Sequence, residues 1–254
     1  MRQSASPADE PHFFMRSLAI DYAAGGSEGC HTHPWPQFLY ARSGAVRADI
    51  NGQYWTIPPR RGLWIPTGVL HRLRMSSNLQ LRTLYIRPSM ASVQPVHVVN
   101  VSGLLHEAII EVCARGWLDD RIAIDRHLGA LILHDLVRRD DTRMSLTRPG
   151  DRRAARLADM LADRTLNSTP LGALCLRAGL SRRTAERLFL AETGLAPSQW
   201  RRFTVLSEAL VDIAGGASIE HAAFAAGYQS RSAFSEAFTR AFGFPPGAAR
   251  DRPA

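Results

Sequence analysis

LGALCLRAGLSRRTAERLFLAETGLAPSQW (residues 171–200) and IEHAAFAAGYQSRSAFSEAFTRAFGFPPGAAR (219–250) are two versions of one unit, and reading them together decides the C-terminal fold. Ala178-Gly179 recurs as Ala226-Gly227 at an offset of 48, whereas Phe189, Gly194 and Pro197 recur as Phe238, Gly243 and Pro246 at 49. One residue has been added in the turn. Each copy has an apolar first helix, a glycine able to take a left-handed turn, a serine cap and a second helix of about three turns. This is the grammar of a helix-turn-helix.

With Ser181 as cap, Ala185, Leu188 and Phe189 face inward at helical spacing, which leaves Arg182, Arg183, Glu186 and Arg187 outward near the helix N-terminus. Side chains placed there reach base edges in a major groove. In the second copy Ser230 is the cap, Ala233, Phe234, Ala237 and Phe238 go inward, and Arg231, Ser232, Ser235 and Glu236 go outward. A single copy reads equally well as a plain α-hairpin; two copies with matched caps and glycines point to a DNA reader. Residues 177–202 carry six arginines against Glu186 and Glu192, while 203–251 carry three against five acids. The first copy is therefore expected to supply more of the phosphate attraction.

Over residues 155–251 the chain resembles the DNA-binding domain of the AraC/XylS family of bacterial transcription regulators. Gly227-Tyr228, Ser232, Phe234, Phe238, Gly243 and Pro246 carry the resemblance. It implies two helix-turn-helix units joined by a long helix, about Pro197 to Ile213, with both reading helices in successive major grooves. The eight outward positions match the family's base-facing sites. One departure is Val205, before Leu206, where the family usually has arginine, so this chain has no guanidinium there for a backbone contact.

The N-terminal half follows another period. Between residues 38 and 88 short apolar runs alternate with Gly, Pro and Asn breaks, and AVRADI-NG-QYWTI (45–57) predicts a hairpin, since Asn51 and Gly52 both accept the positive φ of a type I′ turn. From Val101 the spacing becomes helical, with one stripe at Leu104, Leu105, Ala108, Ile109 and Val112 and a second at Leu128, Leu131, Ile132 and Leu136. Two such stripes predict pairing with each other or with a second subunit. DDTRMSLTRPGDRR (140–153) is charged and broken by Pro149-Gly150, which predicts a linker.

HTHPWPQ (31–37) opens the β-rich half. Histidines two apart on an extended segment project from one face, and a neighbouring strand can add His71. The spacings around His31, His33, Gln37, Pro66, Gly68 and His71 resemble the two motifs of the cupin superfamily over residues 12–90, with Gln37 where glutamate is usual and Met75 where asparagine is usual. In cupins such residues bind a divalent metal; many regulatory cupins use the barrel interior for an organic ligand instead. Three neutral imidazoles and an amide oxygen suit Zn, Ni or Fe, although the lost carboxylate removes the compensating anion. Three uses stay open here: a metal-free effector pocket of His31, His33, Trp35, Gln37 and His71; a metal held by His31, His33, Gln37 and His71; or mere packing. Trp35 is expected in the pocket wall, and Phe38 and Tyr40 in the core.

The resulting expectation is an α+β, two-domain chain. A cupin-like β-barrel for sensing (1–98) precedes dimerisation helices (99–139), a linker (140–153) and an all-α domain with two helix-turn-helix units (154–254). The chain has 254 residues, 45% hydrophobic, a net charge of +8 and no lysine among its 31 cationic residues. Arginine binds phosphates bidentately, although the bias reads equally as genome base composition. Cys30, Cys113 and Cys175 are far apart and lack CxxC spacing, which argues for a reducing cytoplasm. No stretch predicts a signal peptide or membrane span. The expected partners are promoter DNA, a small-molecule or metal effector, a second copy and RNA polymerase, with no membrane. The competing readings are a metal-dependent cupin enzyme, a dioxygenase or isomerase, and a DNA-organising protein without a ligand. The enzyme is disfavoured because Glu28 is the only carboxylate between Asp21 and Asp49.

Overall fold

A computed structural model describes residues 12–75, 77–140 and 144–250. Among these residues eleven strands form two sheets. One contains β1 (Phe13–Tyr22), β3 (Gln37–Ser43), β6 (Arg61–Ile65), β8 (Leu79–Ile86), β9 (His97–Asn100) and β10 (Trp117–Asp119), in the order β10-β1-β8-β3-β6-β9. The other contains β2 (Ser27–His31), β4 (Val46–Ile50), β5 (Gln53–Ile57), β7 (His71–Met75) and β11 (Ser145–Thr147), in the order β11-β5-β4-β7-β2. The expected cupin-like barrel thus takes the form of two facing antiparallel sheets. The predicted hairpin is β4–β5: Ile50 pairs with Gln53, and Asn51 and Gly52 have φ of 50° and 75°.

Strand alternation sorts the side chains. Leu39, Ala41, Leu63, Ile65 and Leu81 of the six-stranded sheet meet Ala48, Ile57, Leu73 and Met75 of the other, forming the interior. Phe38, Tyr40, Trp64, Leu84 and Ile86 point to the opposite face, onto which α1 (Gly103–Arg115) and α2 (Ala123–Leu136) pack. Ser102 caps α1 by accepting from the N–H of Leu105 (3.1 Å). Gly129 lets α2 approach, because a Cβ there would stand 2.3 Å from the Phe14 ring.

This packing selects between the two expectations for the stripes: α1 and α2 share one core with each other and with the sheet. Leu105, Ala108, Ile109 and Val112 are buried against the chain's own sheet, and so are Ile132 and Leu136. Each fully buried Leu, Ile or Val contributes roughly 1.5–3 kcal/mol, so the stripes are spent within one chain and do not by themselves demand a partner. Leu104 lies off that face and is exposed. The stretch expected as a linker also carries structure: β11 pairs with β5, and Met144 and Leu146 are buried; residues 141–143 lie outside the described residues.

The C-terminal domain comprises α3 (Arg152–Ala162), α4 (Leu171–Arg177), α5 (Arg182–Thr193), α6 (Pro197–Ala214), α7 (Ile219–Ala225) and α8 (Arg231–Phe242). Helices α4–α5 and α7–α8 are the two units, and α6 joins them. The repeat holds in backbone detail: Gly179 and Gly227 have φ of 76° and 80°, and Gly194 and Gly243 cap α5 and α8 in the left-handed region. Ser181 and Ser230 cap as expected, accepting from Thr184 and Ala233. Phe234, Phe238 and Phe242 fill the second unit, whereas Ala233, expected inward, is exposed. Among the described residues no helix is long and apolar enough to cross a membrane.

Candidate functional site

One end of the β domain gathers the histidines. His31 ends β2 directly opposite His71 at the start of β7, and His33 follows in the loop toward β3. Ring centroids are 4.4 Å apart for His31–His71, 4.8 Å for His31–His33 and 5.3 Å for His33–His71. One ligand atom from each lies within 4.8 Å of the others. The backbone orients two of the rings: Nδ1 of His31 is 2.7 Å from the Gly29 carbonyl, and Nδ1 of His71 is 2.9 Å from that of Val69. With the Nδ1 proton donated, the lone pair falls on Nε2.

The facing sheet completes the cluster. Gln37 on β3 and Tyr85 on β8 are register partners, and Nε2 of Gln37 donates to the Tyr85 hydroxyl (3.2 Å). The Tyr85 ring stands edge-on to His33 at 4.9 Å. Nε2 of His33, Nε2 of His71 and Oε1 of Gln37 are all buried without a hydrogen-bond partner. Unpaired buried polar atoms are rare in folded proteins, and here three fall in one cluster.

Burial, followed by the charges of His31 and His71, pushes the His33 imidazole down to about 4. Burial also lowers His71, against its hydrogen bond to Val69. Both rings are therefore neutral near pH 7, the form that ligates metals. Burial, then the charge of Glu28, pushes the Tyr85 phenol up to about 12, so it keeps its proton. Oε2 of Glu28 lies 3.8 Å from Nε2 of His31, and its other oxygen accepts from the Tyr22 hydroxyl.

Trp35 is half-buried, with the Arg16 guanidinium 5.9 Å from its ring, and the Tyr85 ring stands beside His33. Tyr85 and Glu28 are the residues that sequence reasoning missed. Phe38 and Tyr40 are core, as expected.

At the other end, Arg182, Arg183, Glu186, Arg187, Arg231, Ser232 and Glu236 are exposed and Ser235 is half-buried. Several are already paired: Arg182 with Glu186 (3.2 Å), Arg231 with Glu220 of α7 (2.8 Å), and Glu236 with Arg240. Arg183 and Arg187 meet no carboxylate among the described residues. The two ends are joined through α6. Arg47 of β4 pairs with Glu208 (2.7 Å), which also holds Arg164 (3.1 Å), and Nε1 of Trp200 donates to the Thr147 carbonyl of β11 (3.0 Å). The Arg61 guanidinium lies 5.1 Å from the Phe244 ring centroid.

Residues 21–94 match the AraC-like ligand binding domain, and residues 174–252 match a helix-turn-helix domain. The HTH-type transcriptional regulator NimR of Escherichia coli (strain K12) is 27% identical over 218 residues, covering 85% of this chain and 80% of NimR. The virulence regulon transcriptional activator VirF of Yersinia enterocolitica is 28% identical over 84% of this chain and 78% of VirF. A crystal structure of ToxT from Vibrio cholerae strain SCE256, with an unsaturated fatty acid bound to that protein, covers 97% of this chain and 95% of its own at 12% identity and a TM-score of 0.40. A ligand-binding β domain joined to a helix-turn-helix domain defines a ligand-responsive, DNA-binding transcription regulator. The two domain matches and the two regulators similar over most of the chain agree with the resemblance to the AraC/XylS family. Both relatives are regulators, and the cupin-enzyme alternative finds no support in them.

Proposed function

We propose that His31, His33, His71 and Gln37 form the effector-responsive site, and that it holds a divalent ion, Zn, Ni or Fe. The observation that carries this reading is the set of three partnerless buried atoms, two imidazole nitrogens and an amide oxygen, beside a third imidazole. The donor set is three imidazole nitrogens and one amide oxygen, which suits these metals. A bound ion supplies a Lewis-acidic centre on which a small-molecule effector can be held. Tyr85 orients Gln37, and Glu28 beside His31 offers the negative charge that Gln37 cannot. Trp35, between His33 and Gln37 in the chain, supplies an apolar wall at this end. The sensing unit comprises residues 1–98, flanked by the helical segment 99–139, the connection 140–153 and the DNA-binding unit 154–254.

Ligand occupancy is carried to DNA through β4, where Ile50 pairs with His71 and Arg47 with Glu208 of the helix joining the two units. Arg182, Arg183, Glu186 and Arg187 read one major-groove segment of promoter DNA, and Arg231, Ser232, Ser235 and Glu236 read the next. The regulator acts in the cytoplasm as a homodimer and contacts RNA polymerase from the promoter. Exposed Leu104, Ile122 and Ile124, at the starts of α1 and α2, offer the apolar surface for the second copy.

The test is metal titration of chelator-stripped full-length protein by calorimetry, paired with operator binding at each metal level. Wild type should bind one ion per chain, with His71→Ala reducing affinity at least tenfold and His33→Ala matching it. Equal metal affinity in wild type and both variants would assign the histidines to packing.

A further inference from the structure

The outer face of the six-stranded sheet carries a groove that neither site above uses. Trp64 of β6 and Gln94 line both of its lobes; Pro36, Pro66 and Pro88 wall the larger lobe, of about 240 Å³, and Leu136 of α2 closes the smaller. The groove is separate from the histidine cluster because strand alternation sends Leu63 and Ile65 into the interior and Trp64 to the opposite face.

Two features of this groove call for a ligand. Trp64 is only 3% exposed, yet its indole N–H is buried without an acceptor. Indole can donate but not accept, so only an acceptor brought from outside removes that cost. The second feature is a charge. Nη2 of Arg139 donates to Oε1 of Gln94 at 2.8 Å, and among the described residues the exposed Arg139 side chain meets no carboxylate. Gln94, which lines both lobes, thus holds the Arg139 guanidinium beside the groove, and among the described residues no carboxylate compensates that charge. Three proline rings and an indole form flat apolar walls, the surface that packs best on a ring.

We infer that this groove is a second ligand site and takes a small, ring-bearing monocarboxylate. The ring packs against the prolines and Trp64. The carboxylate supplies both the acceptor that the indole lacks and the anion that Arg139 lacks. Acid and neutral congeners of one ring are therefore told apart by Arg139, and acids without a ring by the apolar walls.

The test is calorimetric titration of the full-length protein with phenylacetate, indole-3-acetate and cyclohexylacetate, and with phenylacetamide and acetate as controls. At least one ring acid should bind, and phenylacetamide and acetate should bind at least tenfold more weakly. Trp64→Phe keeps a ring and removes the donor, and should weaken the acid about fivefold to tenfold, the effect of one hydrogen bond. Arg139→Gln lies on the surface and keeps the test open should Trp64→Phe fail to fold; it should bring the acid down to the level of the amide and leave the amide unchanged. His33→Ala should leave binding of the acid as in wild type, whatever becomes of the metal site. No binding of any ring acid, equal binding of acid and amide, indifference to both groove variants, or loss in His33→Ala would each overturn the assignment.

Discussion

The two ends of the molecule satisfy their polar groups in opposite ways. At the histidine end, Nε2 of His33 and His71 and Oε1 of Gln37 are buried and have no partner. At the reading end all the side chains but the half-buried Ser235 are exposed, and Arg182, Arg231 and Glu236 already have partners. On the proposed reading, the first arrangement would be completed by adding a ligand, whereas the second would give up internal pairs to gain DNA contacts. The difference teaches where mutations bite: deep and local at the first end, graded and salt-dependent at the second.

The largest effect is expected where the reading end departs from its own rule. Among the described residues Arg183 and Arg187 have no carboxylate to release, so contacts they make with bases would come at no internal cost. Arg187→Ala and Arg183→Ala should each cost about 1–3 kcal/mol at one base pair of the operator, roughly tenfold to a hundredfold in affinity. Footprinting against operators substituted at each position checks this. Equal weakening on every sequence, with a shallower salt dependence, would reassign them to phosphates.

A smaller effect is expected at the joint. Arg47 and Glu208 are mostly buried and lie 2.7 Å apart, and Glu208 also holds Arg164. Glu208→Gln keeps the shape and removes the charge shared by both arginines. Operator affinity with and without bound metal should then differ by a smaller ratio than in wild type, while the affinity of the free protein changes only a few-fold. An unchanged ratio would move the coupling away from this contact.

Smaller again is the effect of releasing a pair in the second unit. Glu220 on α7 holds Arg231 at the N-terminal end of α8. Glu220→Gln should free the guanidinium and raise operator affinity about twofold to fivefold at low salt, since an exposed pair is worth about 0.2–1 kcal/mol. Gel-shift titration at two salt concentrations is the measurement. A fall in affinity would mean that Glu220 holds Arg231 in its reading position.

Local signals were legible in the sequence, and signals that depend on sheet pairing were not. The Asn51-Gly52 turn, the Ser181 and Ser230 caps and the paired glycines stand on φ preferences and short-range hydrogen bonds, which depend on adjacent residues. His31 and His33 were legible for the same reason, being two apart on one extended segment. Tyr85 lies 52 residues beyond His33 and reaches it only because β3 pairs with β8 and sets Gln37 opposite it. Glu28 reaches His31 across a register shift between Glu28 and His31 in the β2–β7 pairing, which no spacing rule shows. The stripes on α1 and α2 were legible as apolar, but periodicity does not say what covers a stripe, and here it is the chain's own sheet. In DDTRMSLTRPGDRR, charge masked the three residues that form β11. Spacing puts Ala233 inward, yet the core face of α8 is formed by Phe234, Phe238 and Phe242, with Ala237 and Ala241 packed against it.

The smallest effect is a slope of stability against pH, and its sign follows from the histidine end. In the folded chain His33 titrates at about 4, held down first by burial; in the unfolded chain it titrates near 6.5. As pH falls through 6.5, the unfolded state takes up a proton that the folded state refuses. Stability from this ring is therefore complete above about pH 7, declines between 6.5 and 4, and declines no further below that. His71 is lowered in the same direction and adds to the slope. His33→Gln keeps a polar side chain but cannot titrate, so urea midpoints of the chelator-stripped protein should fall less steeply between pH 7 and 4 in the variant. Some slope should persist from His71. A variant with the full wild-type slope would show that His33 is as solvated in the folded chain as in the unfolded one, and the contrast between a buried, partnerless end and an exposed, paired end would fail at its central residue.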